Sequence, residues 1–130
     1  ATYEEWYDKK HIAPALVSQV PYGLPELNND KIANAKIVAN PGCYPTASSL
    51  ALAPLMATKS IDENQIIIDA KSGATGAGIK SQPTTHFSNV NDNFKAYGLK
   101  SHRHTIEIEV HYRNYPTQIV PCNLHLTYSL

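Results

Sequence analysis

One cysteine stands where a thiol can be made nucleophilic. Ala39-Asn40-Pro41-Gly42-Cys43-Tyr44-Pro45-Thr46-Ala47-Ser48 reads as the end of a strand, a tight turn and the start of a long helix. Backbone N–H groups at a helix start have no intrahelical partner, and the aligned peptide dipoles favour negative charge there. Both effects favour a thiolate, and the same N–H groups can hold an oxyanion. Gly42 leaves the approach to the sulfur open. The residue types alone equally suit a small buried cysteine with no chemical task. A proton carrier for the thiol is offered by His102-Arg103-His104, because imidazole exchanges protons near neutral pH. On an extended segment residues two apart face the same way, so both histidines can reach one site; in a helix this fails. His102 is taken as the acid/base partner of Cys43. His11, His86, His111 and His125 stand in no motif and read as surface or structural residues. Arg103 offers a planar fork for a carboxylate or phosphate, or a surface ion pair with Glu107.

The elements that must position these groups are partly legible. Thr2-Tyr3-Glu4-Glu5 has capping-box spacing and predicts a short helix to about Lys10 or His11. Pro21 to Pro25 cannot be regular helix. Ala35 to Ala39 reads as a short buried strand. Tyr44 to about Ala57 predicts a helix with Ala47, Leu50, Ala51 and Leu55 on one face; Pro45 sits harmlessly in its first turn, and Pro54 should kink or end it. Gln65 to Ala70 is β-branched and apolar, a central strand. The segment from Pro83 to Asn93 is polar and irregular. Thr105 to Tyr112 fits an alternating strand or a helix capped by Thr105, with helix preferred. Ile119-Val120 and the alternating Leu124, Leu126, Tyr128, Leu130 read as two strands. The order suggests an α+β domain with a mixed, mostly antiparallel sheet and helices on one face.

Gly73, Gly76 and Gly78 follow a strand, but Ile79-Lys80-Ser81-Gln82-Pro83 is a poor helix start and no acidic residue falls at the required distance. The dinucleotide fingerprint is therefore rejected. A backbone nest for a phosphate, with Ser72, Gly73 and Lys80, is the alternative to a plain turn. His102, His104, Cys122 and His125 supply four possible zinc ligands, yet their spacing fits no compact finger and no metal is expected.

The whole composition narrows the class. With 130 residues, 11 basic and 11 acidic side chains and zero net charge, the usual electrostatic basis for binding nucleic acid or a membrane surface is missing. No apolar run approaches the roughly 20 residues of a membrane span. Two distant cysteines make no disulfide framework, so a reducing cytoplasm is expected. Ala1 in place of Met is read as a boundary inside a longer chain, with 1–130 forming one domain.

Four blocks carry a resemblance. They are Tyr22-Gly23-Leu24-Pro25-Glu26-Leu27, then Asn40 to Ala47, then Ser72 to Gly78, and lastly Lys95-Ala96-Tyr97-Gly98 through His102-Arg103-His104-Thr105 to Glu107-Ile108-Glu109. In this order they resemble the N-acetyl-gamma-glutamyl-phosphate reductase family, which is related to aspartate-semialdehyde dehydrogenases. The resemblance implies a catalytic and oligomerisation domain with the fold of the glyceraldehyde-3-phosphate-dehydrogenase C-terminal domain. It implies an arginine-biosynthesis oxidoreductase in which Cys43 attacks N-acetyl-glutamyl 5-phosphate, forms a thioester, and the thioester is reduced with NADPH to N-acetyl-glutamate 5-semialdehyde. Tyr97 and His104 would contact the substrate with Arg103. The NADP-binding Rossmann domain would lie outside this chain, leaving it inactive alone, and the protein would form a homodimer or homotetramer. Two other readings stay open: a cofactor-independent cysteine–histidine acyl hydrolase or transferase, and a purely structural oligomerisation domain.

Overall fold

The computed structural model describes residues 2–99, 101–113 and 123–129. Its centre is the packing of helix α3 (Cys43–Ala57) on helix α5 (Arg103–Arg113). Strand β1 (Ile67–Gly73) alternates in exposure along its length. Ile68 and Ala70 turn inward onto Tyr44, Met56, Ile66 and Ile108, while Ile67, Asp69 and Lys71 face outward, with Lys71 paired to Asp69. Ile108 is 0% exposed; truncating such a side chain to Ala costs about 2–5 kcal/mol.

The described sheet has the order β1-β3-β2. Strand β3 (Asn123–Ser129) runs parallel to β1, from Ile67 opposite Asn123 to Gly73 opposite Ser129. The short β2 (Lys95–Ala96) pairs antiparallel with its other side. The sheet is mixed, as expected, but the longer described ladder is parallel rather than antiparallel. Helix α5 lies in the connection from β1 to β3, the kind of long crossover a parallel pair needs. Among the described residues β1 lies at an edge and not in the centre, and Ile67, on its outward face, is 71% exposed.

Other expectations are corrected locally. Helix α1 spans only Thr2–Tyr7, because Asp8 adopts a positive φ of 48° and turns the chain out of the helix. The strand expected over 35–39 is a single bridge between Ala39 and Tyr22, with Ile37 and Val38 57% and 39% exposed. Pro25, read as a breaker, instead occupies the first position of helix α2 (Pro25–Ala33), where a missing N–H costs nothing. Helix α3 closes within a turn after Pro54. Its buried face carries Tyr44, Pro45, Ser48, Ser49, Ala53 and Met56, whereas Ala47, Ala51 and Leu55 of the expected core face are exposed and Leu50 is half-buried. The irregular segment holds a four-residue helix, α4 (Phe87–Val90). Helix α5 begins at Arg103, two residues before the expected cap Thr105. Ile119 and Val120 lie outside the described residues.

Candidate active site

Cys43 is the first residue of α3 and is exposed. The helix is capped by Gly42, whose carbonyl accepts the Thr46 N–H at 3.0 Å and the Thr46 hydroxyl at 2.9 Å. Four N–H groups at a helix start would ordinarily lack partners. Here Pro45 has none to offer, and the Gly42 N–H donates to Glu107 Oε1 at 2.9 Å. Those of Cys43 and Tyr44 make no hydrogen bond among the described residues. Two donors without a described partner therefore stand at the helix start that carries Cys43, and such groups can form an oxyanion hole.

The two histidines converge although α5 begins between them. His102 precedes the helix and His104 is its second residue, and their rings meet edge to face with centroids 4.7 Å apart. The His104 N–H donates to His102 Nδ1 at 3.2 Å. The His104 ring lies against Gly42: a Cβ there would sit 2.4 Å from its Nε2. Its Nδ1 is buried and has no hydrogen-bond partner among the described residues. His102 packs edge to face with Tyr44 and Tyr97 at 5.8 and 5.5 Å, and His104 meets Tyr44 in the same way at 5.7 Å. The hydroxyls of those two tyrosines are 2.7 Å apart. Gly98, with φ of 59°, makes room for His102, since a Cβ would approach it to 3.0 Å.

Burial pushes the His102 imidazole down from 6.5 to about 4, helped by the neighbouring His104 and Arg103. Burial also lowers His104, with Glu107 opposing and Arg103 adding to the shift. Both rings are thus biased toward the neutral form, the form that can take a proton from a thiol.

The other expected residues divide. Tyr97 joins the cluster through Tyr44. Arg103 lies over the Tyr7 ring, 5.7 Å from its centroid, and no ion pair to Glu107 forms among the described residues; the Glu107 carboxylate serves Gly42 and the Tyr22 hydroxyl. Ser72 and Gly73 end β1, where the Ser72 hydroxyl donates to Gly73 O at 3.1 Å. No described hydrogen bond or ring contact links Ser72, Gly73 or the exposed Lys80 to Cys43 or the histidines. The glycine segment continues as a 3-10 turn over Ala74–Ala77 and not as an α-helix. A 3-10 turn is not the α-helix start that the dinucleotide fingerprint requires. Cys122, of the candidate zinc set, lies outside the described residues. Tyr44 was given no role in the sequence reading, and Glu107 only that of a possible ion-pair partner of Arg103; Tyr44 is signalled by its adjacency to Cys43, and Glu107 by its nearness to the His-Arg-His run.

Residues 43–127, more than half of the 130-residue chain, match the family described as semialdehyde dehydrogenase, dimerisation domain. The chain belongs to that family. Among relatives of this semialdehyde dehydrogenase domain are proteins named N-acetyl-gamma-glutamyl-phosphate reductase. That of Pelotomaculum thermopropionicum is 56% identical over 108 residues, covering 83% of this chain and 31% of its own length. That of Nitrosomonas eutropha is 51% identical over 108 residues, covering 83% and 32%. The Bacillus subtilis protein is 51% identical over 109 residues, covering 84% and 32%. The chain spans about a third of the length of these curated relatives. The resemblance carried by the four sequence blocks is thereby confirmed at the level of family. No described helix of this semialdehyde dehydrogenase domain is long and apolar enough to cross a membrane.

Proposed function

We propose that this domain supplies the nucleophile and the proton carrier of an N-acetyl-gamma-glutamyl-phosphate reductase acting in arginine biosynthesis in the cytoplasm. The observation that carries the reading is the pair of open N–H groups of Cys43 and Tyr44 beside an exposed thiol, with the His104 ring against the same turn. His104 takes the thiol proton as sulfur attacks the acyl carbon of N-acetyl-glutamyl 5-phosphate. The C–S bond forms, the two N–H groups receive the oxyanion, and the C–O bond to phosphate breaks with its electron pair leaving on phosphate. A thioester on Cys43 results. His102, held by the His104 N–H, orients its neighbour and does not itself carry the proton. The sequence expectation gave the proton-carrying role to His102 instead. Tyr97 borders the acyl group through Tyr44; Arg103, Ser72, Gly73 and Lys80 keep the role of substrate contacts only for groups that reach outward from this cluster. NADPH, held in this reading by parts of a longer protein, would supply the hydride that brings the thioester to the aldehyde level.

The test is acylation. Treated with an acyl phosphate such as acetyl phosphate, the chain is expected to gain one acyl group on Cys43 by peptide mass spectrometry, and a Cys43→Ser variant none. NADPH oxidation by the chain alone should not exceed that of the Cys43→Ser control. Absence of an adduct at Cys43 would overturn the reading.

A further inference from the structure

Glu107 projects from the second turn of α5 into the space between three segments. A single carboxylate oxygen, Oε1, accepts the Gly42 N–H at 2.9 Å and the Tyr22 hydroxyl at 2.9 Å. The charge on the acceptor makes such bonds roughly twice as strong as neutral ones. Gly42 is thus held from both sides. Its carbonyl is bound by Thr46 of α3 and its N–H by Glu107 of α5. His104, one turn earlier on α5, is the residue whose ring presses on Gly42. The two contacts come from one helix face and meet one residue, so the distance from the His104 ring to the start of α3 is fixed by the Glu107 bond.

We infer that Glu107 is a positioning residue for Cys43: it ties the turn before α3 to α5, so that the open N–H groups and the His104 ring meet at the thiol. The inference rests on the reading of Cys43 given above. Removing the tie releases the turn without touching the sulfur or either imidazole. It also predicts which half of Glu107 matters. A neutral amide oxygen in the same place can accept both bonds, so geometry survives Glu107→Gln and is lost in Glu107→Ala, although both variants remove the same charge.

The experiment measures alkylation of Cys43 by iodoacetamide at neutral pH, read on its own peptide so that Cys122 does not contribute, together with hydrogen exchange of the Gly42 N–H by NMR. Relative to Glu107→Gln, Glu107→Ala is expected to alkylate about tenfold more slowly and to exchange the Gly42 proton about tenfold faster, the size of one charge-free hydrogen bond expressed as a ratio. Equal alkylation rates in the two variants overturn the inference. Should Glu107→Ala fail to fold, Glu107→Asp, which keeps the charge but withdraws it by one methylene, is expected to be slow as well; alkylation at the parental rate overturns the inference. A parent chain whose Cys43 reacts no faster than free N-acetylcysteine sinks the reading of Cys43 itself. A fast parent with equal Ala and Gln variants sinks only the role of Glu107.

Discussion

The His102 and His104 rings touch and share a neighbour, yet they are not equivalent. His104 presses on the turn that carries Cys43, and its Nδ1 is buried without a described partner; His102 is enclosed by Tyr44, Tyr97 and Gly98. His104→Asn is expected to slow acylation of Cys43 by about 10²-fold, the lower range for a lost acid/base group, and His102→Asn by much less. The reverse order, measured by the mass shift with time, would return the proton to His102. The depressed pKa of His102 also has a sign. Its folded value of about 4 lies below the ordinary 6.5, so between these the unfolded chain binds more protons and stability rises with pH. His104 and His111 are lowered by burial too and act in the same direction. The urea midpoint should therefore fall as the solution is acidified from about pH 6.5 to about pH 4, and fall less in His102→Gln. Equal falls would show that this ring is not buried as described. Of this candidate site the sequence displayed Cys43 and the histidine pair, because both sit in local motifs. It did not display Glu107 as a partner of Gly42, because that contact joins residues from distant parts of the chain.

At the scale of elements, the start of α3 depends on close approach. Gly42 has φ and ψ of −67° and 161°, which any residue adopts, so its requirement is space and not backbone freedom. Gly42→Ala places a methyl 2.4 Å from His104 Nε2 and is expected to cost about 1–3 kcal/mol, as overpacking usually does. The cost should shrink in Gly42→Ala/His104→Ala, a coupling that a thermal melt of the four chains would reveal. Additive melts would mean that the ring does not rest on the glycine. Helix α3 was readable from its helix formers, whereas α5 fitted a strand or a helix, with helix preferred on Thr105 as a cap and on the family resemblance. Which face of α3 is buried was not. The helix carries Ala and Leu on one side and Tyr44, Ser48, Ser49 and Met56 on the other, and a count of apolar residues favours the wrong side. Side-chain size decided it, since Tyr44 and Met56 fill the space over β1 and α5. Ala35 to Ala39 has strand composition, but a strand needs a ladder, and only Tyr22 provides a bridge.

For the molecule as a whole, the outward face of β1 bears Ile67 in the open, and Ala47, Ala51 and Leu55 of α3 are exposed apolar groups as well. Singly exposed apolar side chains are ordinary on a protein surface; the expectation of assembly rests on a family described by its dimerisation. The chain is expected to self-associate in light scattering, and Ile67→Lys to shift it toward monomer; a monomeric parent would count against assembly through this face. The α+β class and the mixed sheet were legible because strands and helices alternate in composition. The parallel direction of the longer ladder was not, because pairing is decided between segments far apart. That remote pairing shapes the order of events during synthesis. The strand that β1 joins is supplied by residues 123–129, which follow both helices in the sequence, so α3 and α5 can meet early while one flank of their core waits uncovered. Bringing such distant segments together is slow, and a nascent chain halted before Asn123 would leave Ile68 and Ala70 without their neighbouring strand, a state that chaperones would recognise and proteases would clear.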